Sequence, residues 1–319
     1  MRRSLKALLN GVVDYAGMFP PAQLALPTAI RNYANYRNEP EKWMLGRFIC
    51  PAVKLPDLSS HVDNLFGSGP PLSLSILGRG GRDSSTFLEG LRLDMEDMAE
   101  IRRKHGNRVL ASVFEVKLPI EVLLGDASRS KALLEKCASV IEQHGPPELI
   151  VYYEVGVGSA WRTTIPAVLS VLRLCRDLPY EKCLPPGFKL RTGGVDSAAF
   201  PSAEEVAGVI CVCRDSGVPM KFTAGLHHPI RKHDAGVQTK MHGFINVFVA
   251  GVLAAARKLE PDTVCDILSD ENAANFHFTD DSCRWGEISA TTAEIEASRK
   301  SSVTSFGSCS FDEIGRAHV

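Results

Sequence analysis

Five charged residues stand where one fold could gather them: Glu115, Glu154, Lys189, Arg191 and Lys221. They lie in four runs of strand character, VLASVFEVK (109–117), LIVYYEV (149–155), FKLRT (188–192) and MKFTA (220–224). Alternate residues of a strand share a face. Glu115 therefore shares one with Lys117, Glu154 with Tyr152, Lys189 with Arg191, and Lys221 with Thr223. Phe188, Leu190, Phe222 and Ala224 fall on the opposite faces. Turned inward, the charged faces bring acids and amines to one interior from four consecutive strands. Taking such ions out of water costs several kcal/mol each unless they are paired. The cluster points to a site, with a structural ion-pair network as the plain alternative.

The chemistry offered is specific. A lysine amine whose pKa is lowered by a neighbouring cation attacks carbonyl carbon, a role open to Lys189 or Lys221. Glu115 or Glu154 would shuttle the proton. The planar fork of Arg191 suits a carboxylate or phosphate held by two hydrogen bonds. Counting Lys117, Lys189, Arg191 and Lys221 against Glu115 and Glu154 leaves two positive charges in surplus, which an anionic ligand would offset.

Connecting segments add candidates. GLHHPIR (225–231) puts His227 and His228 after a strand, as acid/base groups, metal ligands or structural hydrogen bonders. The turn TGGVD (192–196) lets Gly193 and Gly194 present backbone N–H groups to an anion. In DYAGMFPP (14–21), Asp14 and Tyr15 read as site residues or as loop anchors. His242 and Asn246, four apart at a helix start, share a face or serve as caps. Cys309 is a candidate thiol with nothing nearby in sequence to lower its pKa.

These segments need a scaffold that ends several strands at one place. Strand-like runs at 11–16, 47–52, 72–77, 109–117, 149–155, 188–192, 220–224 and 303–307 alternate with helical patterns near 23–37, 56–66, 85–105, 129–144, 160–177, 202–216 and 243–258. Eight strand-then-helix units, the eighth helix absent or lost, predict an α/β fold of the (β/α)8 TIM-barrel type, with an open doubly wound sheet as runner-up. No Gly-x-Gly-x-x-Gly follows the first strand, so the dinucleotide signature is missing. In such barrels chemistry gathers at the strand C-termini. One domain is expected over 1–312, with 261–300 as a small insertion or cap before the last strand. The residues EIGRAHV (313–319) read as a non-native tail outside the fold.

Composition limits the function classes. The 319 residues carry 36 basic and 37 acidic side chains, a net charge of -1, so no basic surplus points to nucleic acid or an anionic membrane. No run reaches the length of a membrane span. Nine scattered cysteines without CxxC suit free thiols in a reducing, cytoplasmic setting. Cys211 and Cys213 read as core packing.

The stretches DYAGMFPPA (14–22), FKLRTGG (188–194), MKFTAGLHHP (220–229), HGFINVF (242–248) and SFGSCSFDE (305–313) resemble a largely uncharacterised bacterial and plant family over nearly the whole chain. That resemblance brings no established reaction. About 40 residues are also similar to deoxyribose-phosphate aldolase, a Schiff-base enzyme on the same barrel. The likeness equates Lys189, before a Thr/Gly turn, with one lysine of that family and Lys221 loosely with another, although its glycine stands one place further on. It implies a lyase with a Schiff-base lysine and no cofactor. The expected partner is a small anionic carbonyl compound, and a homo-oligomer is left open. Two alternatives stand: a metal-dependent isomerase or hydrolase with a divalent metal on Glu115, Glu154 and His228, and a non-catalytic metabolite-binding barrel.

Overall fold

The computed structural model describes residues 1–119, 127–156, 160–176, 181–182 and 184–316. Eight parallel strands close into a barrel: β1 (Val13–Tyr15), β2 (Leu45–Pro51), β3 (Leu72–Leu77), β4 (Val109–Lys117), β5 (Ile150–Glu154), β6 (Gly187–Arg191), β7 (Met220–Thr223) and the last strand, Val303–Ser308, which lies between β7 and β1. The chain is thus a (β/α)8 barrel, as its periodicity predicts. Between β7 and the last strand come β8 (Lys232–Asp234), β9 (Thr239–Met241), β10 (Phe276–Phe278), β11 (Ser282–Trp285) and β12 (Ile288–Thr291), which makes Val303–Ser308 β13.

The outer layer contains α1 (Arg3–Leu9), α2 (Leu26–Tyr36), α3 (Leu55–Phe66), α4 (Ser84–His105), α5 (Ala127–His144), α6 (Trp161–Cys175), α7 (Ala203–Ser216), α8 (Phe244–Arg257), α9 (Pro261–Ser269), α10 (Thr292–Ser301) and α11 (Phe311–Arg316). Local chemistry sets their starts. Asp83 with Thr86, Ser202 with Glu205, and Thr291 with Glu294 form capping boxes at α4, α7 and α10, each satisfying two backbone N–H groups. Gly217 ends α7 in the left-handed region (φ 64°). Ser59 on α3 and His105 on α4 join across the helix pair at 2.8 Å, and the other His105 nitrogen meets Asp63 at 3.2 Å.

The strands' outward faces pack on this layer. Phe222 of β7 meets Phe248 of α8 at 5.6 Å between ring centroids, and Phe306 of β13 stacks on Phe244 at 5.7 Å. Phe188 and Leu190 are fully buried in the same core. The inward faces are then left to the charged residues, as alternation requires.

Two features differ from the sequence reading. β1 has three residues instead of six, because Gly11 turns the chain in the left-handed region (φ 58°) just before it. A helix, α11, does follow the last strand, and Ile314 within it is buried. The residues 261–300 form α9, a three-stranded antiparallel sheet of β10, β11 and β12, and α10. This insertion packs against α1, which leads into β1, with Ser4 donating to Thr279 O and Arg3 paired with Asp281. It therefore caps the end where the strands begin. Residue 177, the expected end of the fifth helical pattern (160–177), and residues 317–319 lie outside the described residues. Among the described residues no helix is long and apolar enough to cross a membrane. The eight described cysteines form no disulfide with one another.

Phe306 joins the closing strand to α8. Phe306→Ala is expected to lower stability by about 3–5 kcal/mol, the usual cost of emptying an aromatic core position. Denaturant unfolding measures it, and a loss under about 1 kcal/mol would contradict this packing role.

Candidate active site

Cross-strand register builds the site. Lys117 pairs with Glu154, Glu154 with Lys189, Lys189 with Lys221, and Lys221 with Ser305. Neighbouring strands lie about 4.8 Å apart, so acid and amine side chains stand side by side along one ring of the barrel. Glu115 and Asp14 reach into this ring from β4 and β1.

Glu115 is central. Its Oε1 accepts from Lys221 Nζ at 2.7 Å and from the Ser75 hydroxyl, and its Oε2 accepts from Lys189 Nζ at 2.9 Å. Lys221 Nζ also donates to Asp14 and, at 3.2 Å, to Ser75 Oγ. Asp14 is held further by Ser305 Oγ at 2.8 Å and the Arg47 backbone N–H at 2.7 Å. Lys189 Nζ donates to Glu154 Oε2 at 2.9 Å, and Arg191 Nε lies 3.5 Å from Glu154 Oε1. The result is a chain of alternating charge: Arg47, Asp14, Lys221, Glu115, Lys189, Glu154, Arg191.

Electrostatics follow from this order. Burial pushes the Glu115 carboxyl up, but the Lys189 and Lys221 ammonium groups outweigh it and hold the carboxyl far below the usual range. Burial opposes ionisation of Glu154 as well, and Lys189 and then Arg191 overcome it, leaving its pKa lowered. Burial favours a neutral Lys189, yet Glu115 and Glu154 raise its pKa above the ordinary lysine value. This corrects the expectation of a lysine pKa lowered by a neighbouring cation. Lys189 and Lys221 are register partners, but each ammonium is turned to Glu115.

A cavity of ≈ 570 Å³ opens above this chain. Glu115, Glu154 and Lys189 line it together with Lys117, Arg191, Gly194 and His227. Arg79 and the Phe19-Pro20-Pro21 segment add wall. Glu115, Glu154, Lys189 and Arg191 thus converge as parity predicts, and His227 is held at the rim by Ser310 Oγ, 3.2 Å from its Nδ1.

Other expected residues stand elsewhere. Lys221 and Asp14 are completely buried and do not line the cavity, so Lys221 is sealed beneath the site. Asp14, an inward residue on β1, also reduces the positive surplus from two to one. Tyr15 turns outward into an edge-on contact with Tyr36, 5.3 Å between centroids, and its ring covers Gly17. His228 leaves the cavity lining and approaches Asp234 at 3.4 Å. Of the alternative metal set, Glu115 and Glu154 line the cavity and both face ammonium groups, while His228 is not among the lining residues. Among the described residues no group of three His, Cys, Asp or Glu is placed to hold a metal ion. Gly193 does not line the cavity: a Cβ there would stand 2.7 Å from Gly225 Cα and 2.5 Å from Phe200 Cε1. Its carbonyl, 3.4 Å from Arg191 Nη1, accepts from the guanidinium. The missing side chain lets the ends of β6 and β7 touch.

His242 and Asn246 serve the frame. His242 is buried, its pKa pushed down to about 4 by burial, and its Nε2 donates to Pro201 O at 2.8 Å. Asn246 donates to Ile267 O and Asp270 O at 2.8 and 2.7 Å and accepts from Arg231 N. Cys309 does line the cavity.

Sequence reasoning missed Ser75, Ser305, Arg47 and Arg79. In LSLSIL (72–77) the serines alternate with large apolar residues, and that alternation was the signal that could have set Ser75 on a face of its own. Arg79 is fixed by Asp94 and Asp97 on α4, and burial pushes the Asp94 carboxyl up to about 6 against the pull of Arg79. No protein-family model and no curated protein matches the chain.

Glu115→Gln leaves two buried ammonium groups short of a carboxylate. At pH 7 the expected cost is about 3–5 kcal/mol. Because the folded-state pKa of Glu115 is depressed, its contribution is full above the unfolded carboxylate value and declines as pH falls below it. Denaturation at a series of pH values should show wild type and variant converging toward acid. A gap that is flat or widening below pH 4 would contradict this account.

Proposed function

We propose that the chain is a lyase of aldolase type that forms a Schiff base between Lys189 and a small anionic carbonyl compound. One observation carries this reading: Lys189 is the amine at the cavity floor, held between two carboxylates and beside an arginine. The partial likeness to deoxyribose-phosphate aldolase, with lysines on the sixth and seventh strands, agrees with it. Free thiols fit a reducing, cytoplasmic setting.

The resting ammonium cannot attack, so a proton must leave first. Glu154 is the acceptor, since it touches Lys189 and lines the cavity. The freed amine adds to the carbonyl carbon, forming the C–N bond, and one of its protons passes from the nitrogen to the carbonyl oxygen. Loss of that oxygen as water, with a proton returned by Glu154, gives the iminium. Its nitrogen keeps one N–H and the positive charge. Glu115 can therefore retain its hydrogen bond while Glu154 is released to move protons as a C–C bond breaks or forms. Lys221 keeps Glu115 charged from below. Arg191 and Lys117 hold the anionic group at the rim. These steps use the chain's own residues, without a cofactor.

Borohydride reduction of mixtures with glyoxylate, pyruvate and phosphorylated aldehydes tests the reading. The expected outcome is one reduced adduct per chain, mapped to Lys189 by peptide mass and abolished in Lys189→Met. EDTA should leave it unchanged. Binding of these compounds without any adduct on Lys189 would favour the metabolite-binding barrel instead.

A further inference from the structure

We infer that the Arg191–Glu154 contact gates the reactivity of Lys189, so that an anion bound to Arg191 switches the amine on. This inference rests on the Schiff-base reading and adds to it a rule for substrate choice. The geometry is a carboxylate read at both ends. Glu154 Oε2 faces Lys189 Nζ at 2.9 Å, while Oε1 faces Arg191 Nε at 3.5 Å. The carboxylate is almost buried, with its side chain 11 % exposed, whereas the Arg191 side chain is 48 % exposed and lines the cavity. An incoming anion can therefore reach the guanidinium but not displace Glu154 from its seat.

The consequence follows from charge. Moving a proton from Lys189 to Glu154 turns an ion pair into a neutral pair. The guanidinium touches the carboxylate directly and the ammonium only through it, so its charge favours the ion pair and holds the amine inactive. A carboxylate or phosphate on Arg191 cancels that charge and makes Glu154 the stronger base. The contact at 3.5 Å is long and half in water, so it is poised to be exchanged for a shorter bond to a ligand. A carbonyl compound that carries its own anion would supply both reactant and switch. A neutral aldehyde would supply only the reactant, and the preference would appear in the rate of covalent reaction as well as in binding.

The two roles separate when anion and carbonyl are supplied as different molecules. Propionaldehyde is trapped on Lys189 with borohydride, with and without methylphosphonate, which has no carbonyl. In wild type the anion should speed trapping by about 3–10-fold, less than or equal to the effect of one pKa unit. In Arg191→Gln the propionaldehyde rate should already be raised and insensitive to methylphosphonate. The same variant should lose about 10–100-fold in trapping of glyoxylate, in keeping with loss of a charge-assisted hydrogen bond. Circular dichroism confirms that the variant is folded. If Lys189 adducts form but methylphosphonate slows trapping or leaves it unchanged in wild type, the gate is wrong while the Schiff-base reading stands. If no carbonyl compound forms an adduct on Lys189, both fall.

Discussion

Glu115 sits between two ammonium groups in the barrel interior and is the carboxylate that both lysines share. Each of the three ions alone would neutralise or draw in water, since burial of an unpaired charge costs several kcal/mol. Together they satisfy one another. Both Glu115 oxygens and most donors of Lys221 are used within the protein. Asp14, Ser75 and Ser305 complete the sealed part, and each comes from a different strand. The barrel holds these strands in the register that makes the pairing geometric, and the aromatic contacts of β7 and β13 with α8 hold the strands.

The arrangement has two depths. Asp14, Lys221, Ser75 and Ser305 are buried and carry no path to the cavity. Lys189, Glu154, Arg191 and Lys117 line it. The cavity opens onto the upper set, while the lower set fixes where Glu115 points and keeps it ionised. The hydrogen bonds of the lower set are internally saturated, so it has little to offer a ligand, and the upper set has donors to spare. Chemistry and rigidity are thus assigned to successive layers of one interior.

Much of this was legible in the chain. Strand alternation places Glu115, Glu154, Lys189 and Arg191 inside because a residue's face is fixed by its parity. It also separates Phe222 and Phe188 from the charged set. Depth along the barrel axis was not legible, since it depends on the stagger of neighbouring strands. Lys189 and Lys221 look alike in sequence, yet only the first reaches the cavity. Loops carry no period, so His227 and His228 could not be told apart. Tyr15 went outward by the same parity that sent Asp14 inward, a distinction not drawn when parity was applied only to the four charged strands. Ser75 had a signal in its alternation with leucines, but a lone serine draws less attention than a charge.

The ends of the interior network lie far apart along the chain. Asp14 and Ser305 are 291 positions apart, and Asp14 and Lys221 are 207 apart. β13 must seat between β7 and β1 before Asp14 has its full set of partners. During synthesis the early strands therefore emerge with inward charges whose partners do not yet exist. Contacts of such long sequence separation form late and slowly. The half-built barrel also exposes two open strand edges. Burying Asp14 at that stage would be unfavourable, which discourages the early strands from collapsing onto themselves. The ions that serve the finished interior thus complete their pairing only when the last strand is seated beside the first.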